Sequence, residues 1–327
     1  ITRAELFTYI ESELKAIETE LPDTKTAAYY GRANRFAAQA LLARLYLNAK
    51  VYTGTAKDND AVTYSKKVID GGYALMSNYQ NLMKNDNNVN NPESIMTINY
   101  DGSKTQLFGG TTFLAHASVG GSMVAANYGL DGGWGGLRTT KALVNLFPNG
   151  DGSLDKRAQF YTDGQSLEIN SLSTFTDGYA VTKYQNKNSA GVSGANATFV
   201  DADVPLFRLA EMYLIYAEAT LRGGAGDNGL ALTYFNNLRT RAYGNTSGNV
   251  TALTLDLILD ERARELYWEG HRRTDLVRYG RFTTATYLWP WKGGVKAGKS
   301  VEDFKNIFPL PAADVTANPN LIQNTGY

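Results

Sequence analysis

LFRLAEMYLIYAEATLR, residues 206–222, is written in the same style as ANRFAAQALLARLYLNA, residues 33–49. Both are rich in Ala and Leu, with small residues where a neighbouring helix can approach closely. Each is followed, after a short turn containing Gly or Asp, by a second helical segment, at about 57–70 and about 228–242. A helix, a turn and a second helix is the tetratricopeptide plan. Only two such pairs stand out, and they lie far apart in the chain, so a regular solenoid is not expected. The expectation is two helical hairpins packed with further helices. One of these covers residues 2–21, where Leu6, Ile10, Leu14 and Ile17 form a stripe behind Thr2 as N-cap. Gly71 and Gly72 end the 57–70 helix.

Between the hairpins the texture changes. Residues 72–200 are rich in Gly, Asn, Ser and Thr, with short apolar runs such as SIMTINY (94–100) and no long helical period except near 139–147. Loops of this length inside a globular protein are usually functional. The tail, 283–327, is irregular again, anchored by WPWKGG (289–294) and IFPLP (307–311). One domain over 1–327 is expected: a helical scaffold at about 1–70 and 206–282, a loop-rich binding region at about 72–200, and the tail.

The 32 basic residues balance 32 acidic ones, which argues against nucleic acid as a partner. The absence of cysteine excludes a disulfide framework, thiolate metal sites and a cysteine nucleophile. No run of about 18 apolar residues is present to span a membrane as a helix.

Residues 255–282, LDLILDERARELYWEGHRRTDLVRYGRF, concentrate charge. A helix over 255–269 puts Glu261, Glu265 and Glu269 on one face, with Asp260–Arg264 and Glu269–Arg273 spaced for ion pairs. Glu265 and Glu269 could form a catalytic carboxylate pair, and spacing alone excludes nothing. Yet Arg262, Arg264, Arg272 and Arg273 would hold them ionised, whereas a general acid must keep its proton. The stretch reads as a structural ion-pair network, with Trp268 as helical core. His116 and His271 are isolated, no G-x-S-x-G elbow occurs, and the glycine groups lack P-loop spacing.

Five blocks carry a resemblance: DGGWGGLRTTKALVNLFPNGDGSLDKRAQFY (131–161), LFRLAEMYLIYAEATLRGG (206–224), FNNLRTRAYG (235–244), ILDERARELYWEGHRRTDLVRYGRF (258–282) and IFPLPAADVTANPNLIQNTGY (307–327). Together they resemble the SusD/RagB family of outer-membrane nutrient-binding lipoproteins. The resemblance implies a mainly α fold, with tetratricopeptide-like helix pairs as scaffold and long irregular loops as the binding face. It also implies a non-catalytic protein at the outer membrane, exposed on the cell surface and held by an N-terminal lipid. Its partners would be oligosaccharides or peptides and a SusC-like TonB-dependent transporter that receives them. GGTTFLAHASVGGSM (109–123) and YLWPWKGG (287–294) look nearest to starch-binding members. In the family the helix beginning at Ile1 comes well after the N-terminus. The chain is therefore expected to be a C-terminal portion, without the lipid-bearing segment and without aromatic residues that starch-binding members supply from that region.

Sugars are held by aromatic faces and by planar polar side chains. Trp134 lies in GGWGG, where flanking glycines leave the indole uncovered, though a tryptophan so placed can equally anchor a loop on the core. Phe108 stands where starch-binding relatives carry a stacking Tyr. Asn127, Tyr128 and Arg138 are the nearby polar candidates, and Trp289 and Trp291 alternate about Pro290, so one is expected to be buried. Asp201 and Asp203, with Asp86 and the Val89 carbonyl, could surround a calcium ion, which wants six to eight oxygens. Alternatively Asp201-Ala202-Asp203 caps a helix starting near Leu206. No cofactor is otherwise required. Two other classes compete with glycan or peptide binding: a glycoside hydrolase using carboxylates of the middle region, and a helical adaptor that docks proteins.

Overall fold

A computed structural model of the chain describes residues 1–89 and 91–327. They form two compact units, Ile1–His271 and Arg272–Tyr327. The first contains α1 (Arg3–Glu18), α2 (Arg35–Leu47), α3 (Ala49–Thr53) and α4 (Asp58–Ile69), then strand β1 (Ser94–Ile98). After it come the short helices α5 (Gly110–His116) and α6 (Lys141–Val144), and strands β2 (Phe160–Tyr161), β3 (Ala180–Val181) and β4 (Val204–Arg208). Helices α7 (Leu209–Leu221), α8 (Asn228–Tyr243) and α9 (Leu255–Leu266) complete the unit. The second unit holds α10 (Arg272–Arg278) and α11 (Ala312–Ala317) in otherwise irregular chain. The fold is mainly α, as expected.

α7 is the centre of the first unit. Every residue of it from Leu209 to Thr220 except Tyr213 is buried, the state of a helix enclosed by neighbours. α2, α4, α8 and α9 all pack on it, and α2 packs on α4. The two helical hairpins, far apart in sequence, are thus side by side in space. Ala40 and Ala43 of α2 and Ala210, Ala217 and Ala219 of α7 supply the small side chains that close approach requires. Side chains of Asn34, Asp227 and Thr254 each accept a backbone N–H three residues on and start α2, α8 and α9. Thr2 and Glu5 form a reciprocal capping box at α1.

Three helices, α1, α7 and α9, depart from the sequence expectations. In α1 the side facing α2 is Phe7 with the half-buried Ile10 and Leu14, while Leu6 and Ile17 remain exposed. Glu11 and Glu18 share that side, held by Tyr46 and Lys57 and by Gln39, Tyr64 and Lys67 respectively. α7 begins at Leu209 rather than Leu206, because 204–208 form β4, antiparallel to β1 with Met96 opposite Phe207 and Ile98 opposite Val204. Pro205 biases Val204 towards this extended conformation. Finally, α9 ends at Leu266. Tyr267 turns extended and Trp268 takes φ +61°, so Trp268 is a half-buried loop residue and not helical core.

The loop-rich part of the first unit is tied to the scaffold by charge. Arg157 is fully buried and binds Asp155, Glu261 and Glu265. Arg208, at the junction of β4 and α7, binds Glu93, Glu265 and Glu269, and Arg241 of α8 binds Glu93 and Glu265. Arg239 and Arg264 complete the shell of Glu261, and Lys183 reaches Glu269 at 2.6 Å. Arg264 thus pairs with Glu261 three residues before it, and Glu269 with Arg208 and Lys183 from distant segments.

Candidate functional site

Burial raises the pKa of Glu261, but Arg157, Arg264 and Arg239 more than offset it and hold the carboxyl at about 2. Glu269 is likewise at about 2, where Arg208 and Lys183 overcome burial. Glu265 is depressed still further by Arg241, Arg208 and Arg157. Burial pushes Lys183 down to about 8 against the pull of Glu269. These carboxyls carry no proton to give at neutral pH and are sealed from solvent, so the charged stretch is scaffold. His271 lies 3.7 Å from Glu211, a carboxylate that Arg44 also holds.

The exposed chemistry is elsewhere, on three loops and one short helix. Gly109 precedes α5, which carries Phe113 and His116 three residues apart and hence on one side. Phe108 sits just ahead of α5, Trp134 in the loop 131–136, and Phe199 in the loop 196–200. Their rings form a continuous ledge. Phe108 and Trp134 are 6.1 Å apart at 57°, Phe113 and Trp134 6.1 Å at 53°, and Phe108 and Phe199 5.4 Å at 46°. Phe108 is 64% exposed, and Trp134 and Phe113 are each 43% exposed. Large apolar rings left in water together are the ordinary mark of a binding surface. The rings are tilted by about 50° to one another, so the ledge is faceted and not a flat platform.

Local geometry explains the exposure. A side chain on Gly133 would run into the Val119 carbonyl, and Gly135 has φ +58°, so this loop closes on 117–121 only with glycine at both places. The Trp134 N–H donates to the His116 carbonyl at 2.9 Å, and the Gly135 N–H to the Val119 carbonyl at 2.8 Å. Beneath the indole, the His116 imidazole stacks at 4.9 Å and 19°. Asp131, its side chain half exposed, stands 4.0 Å from His116 Nδ1 and offers a carboxylate beside the ledge.

Trp134 and Phe108, expected from the sequence, are therefore brought together. Asn127 is exposed, next to Tyr128, which is half-buried against Ala115, Val119, Met123 and Leu130. Arg138 does other work. Its guanidinium donates to the carbonyls of Gly136, Ser171, Leu172 and Asp177, and clamps the loops that support the ledge. Phe113, Phe199 and Asp131 escaped the sequence reading. The signal for Phe113 was its i,i+3 relation to His116; Phe199 comes from the far end of the middle region and had none.

The three aspartates expected to share a calcium ion do not converge. Asp203 accepts Tyr30 Oη and the Tyr100 N–H, Asp201 accepts the N–H groups of Gly102 and Ala195, and Asp86 accepts Ser189 through both N–H and Oγ. Among the described residues no group of three His, Asp or Glu side chains could hold a metal. Asp201 and Asp203 both hold the 100–102 segment while Asp86 holds the loop at Ser189, so the three do not form the expected calcium site. Nor do Asp201 and Asp203 cap a helix, since a strand follows them. Trp289 and Trp291, in the second unit, are both half-buried, and Trp291 takes φ +69°.

Residues 155–327 match the SusD family model. The chain belongs to the SusD family. It is 38% identical to the starch-binding protein SusD of Bacteroides thetaiotaomicron over 99% of its length, and 28% identical to a SusD-like protein of Bacteroides ovatus over 77%. It spans 65% of the first of these relatives and 47% of the second. Among solved structures, surface glycan-binding protein A of B. thetaiotaomicron has the same fold: TM-score 0.74 and 24% identity, covering 99% of this chain and 70% of that one. The same protein in complex with laminarihexaose aligns with TM-score 0.74 at 22% identity, covering 98% and 70% of the two chains.

Proposed function

We propose that this SusD-family chain binds oligosaccharides without breaking them, and that its ligands are starch-type α-glucans. The observation that carries the proposal is the exposed ledge of Trp134, Phe108 and Phe113, with the Asp131 carboxylate at its edge. Pyranose rings present apolar faces to such rings. The 38% identity to a relative named for starch binding supports the choice of glucan. Delivery to a SusC-like TonB-dependent transporter, and a place on the outer face of the outer membrane, follow from the family as parts of the same proposal.

Calorimetry with maltoheptaose tests it. Heat of binding that disappears in Trp134→Ala is expected; no heat, and no retardation of the protein in amylopectin gels, would overturn the starch assignment. A curved β-glucan is the second reading, favoured by the laminarihexaose complex of a protein with the same fold. Laminarihexaose in place of maltoheptaose, in the same cell, decides between them.

A further inference from the structure

The second unit has a cavity of about 410 Å³ lined by its own residues, within the size range of small-molecule sites. Its walls are largely aromatic. Phe282 and Trp289 lie 5.9 Å apart at 31°, and the exposed Phe308 and Tyr327 stand at the rim. Backbone bonds hold these walls in place. The Val301 N–H donates to the Thr283 carbonyl at 2.9 Å, and the Lys299 N–H to the Lys292 carbonyl at 3.1 Å. Tyr327 Oη donates to the Ile307 carbonyl at 2.8 Å.

Cations share the lining with the rings. Arg273 Cζ is 3.9 Å from the Phe308 centroid and 4.8 Å from that of Phe282, and Lys292 Nζ is 4.6 Å from Trp289. Lys305 Nζ lies 5.8 Å from Tyr327. Among the described residues no carboxylate or carboxamide side chain lines the cavity. The unit carries eight basic side chains against four acidic ones, in a chain whose charges otherwise balance. Two of those acids are engaged: Asp275 binds Arg278, and Asp303 accepts the Thr283 hydroxyl. Lys292 donates to the Thr284 and Tyr287 carbonyls, and Arg273 gives one N–H to the Lys305 carbonyl. Among the described residues, Lys305 Nζ has the rings of Phe304 and Tyr327 beside it and no acceptor. A neutral sugar does not suit this lining, because its hydroxyl protons would meet no side-chain acceptor except the Tyr327 oxygen. A flat apolar body with an anionic head does suit it.

We infer that this cavity is a binding site for an aryl carboxylate. The ligand's ring stacks on Trp289 and Phe282, and its carboxylate takes N–H groups of Arg273 and Lys305. The site uses none of the ledge residues and does not rest on the glucan reading.

Calorimetry on the 327-residue chain tests it with 3-phenylpropionate and its uncharged counterpart, 3-phenylpropanamide. The carboxylate should bind at least about tenfold more tightly than the amide, the size of one charge-assisted hydrogen bond. Arg273→Gln and Lys305→Gln should each weaken the carboxylate by about the same factor, and Trp134→Ala should leave it unchanged. Arg273 also holds a backbone carbonyl, so Lys305→Gln, which breaks no hydrogen bond of the fold, is the decisive variant. No heat with 3-phenylpropionate, equal affinity for the amide, or full affinity in Lys305→Gln overturns the inference. Saturating maltoheptaose should not displace the carboxylate, and displacement would overturn the placement of the site. Failure of maltoheptaose to bind counts against the glucan assignment alone, since the carboxylate is measured without it.

Discussion

Trp134 earns its exposure from its neighbours. The indole is stacked on His116 and flanked by Phe108 and Phe113, so truncating it removes the middle of the ledge while leaving the buried core untouched. Trp134→Ala should therefore weaken maltoheptaose binding by about 2 kcal/mol or more, as at aromatic hot spots, with urea unfolding nearly unchanged. Gly133→Ala is the subtler change. Its methyl group meets the Val119 carbonyl, so the loop must shift, at a cost of about 1–3 kcal/mol for overpacking. Affinity should fall although no atom that touches sugar has been removed, which calorimetry on the refolded variant would reveal. Asp131→Asn leaves the size of the ledge unchanged and reports on the carboxylate alone.

At the scale of elements, α9 decides the stability of the first unit. Its glutamates receive cations from the loop region, from the β4–α7 junction and from α8. Removing one partner strands a buried charge, so Arg157→Met should cost about 3–5 kcal/mol in urea unfolding. The same carboxyls set the acid limit. Glu261 and Glu269 stand at about 2 in the folded chain against 4.5 in the open. The unfolded chain therefore binds protons first as pH falls. The stabilisation is complete above about 4.5 and is lost progressively between 4.5 and 2. Circular dichroism through an acid titration should show helix loss in that window, and Glu269→Gln should shift its onset. The four-residue spacing of the glutamates was visible in the sequence, as was their role as scaffold. Of their partners Arg264 could be read there, whereas Arg157, Lys183 and Arg208 lie far away in the chain.

For the molecule as a whole, affinity assembled from several weak ring contacts should grow with the length of the sugar. Maltoheptaose should bind at least tenfold more tightly than maltose, and glucose should give no measurable heat, in calorimetry at one temperature and salt concentration. The helical scaffold was legible because caps, small residues and apolar periods are local properties. The ledge was half legible: glycines advertised Trp134, but Phe199 joins it only through a return of the chain some 65 residues later. Asp201 and Asp203 misled because oxygen-rich loops look alike whether they bind a cation or their own backbone.

The members of the charge network are Glu93, Asp155, Arg157, Lys183 and residues from Arg208 onward, and none falls between 94 and 154. Phe108, Phe113 and Trp134 all lie within that interval. The stretch that carries three of the four ledge rings is thus clipped in at both ends by the same bonds, with Phe199 reaching it from outside. Transplanting 99–154 from a relative with a different diet should give a chimera with the parent's melting behaviour and the donor's taste in glycans.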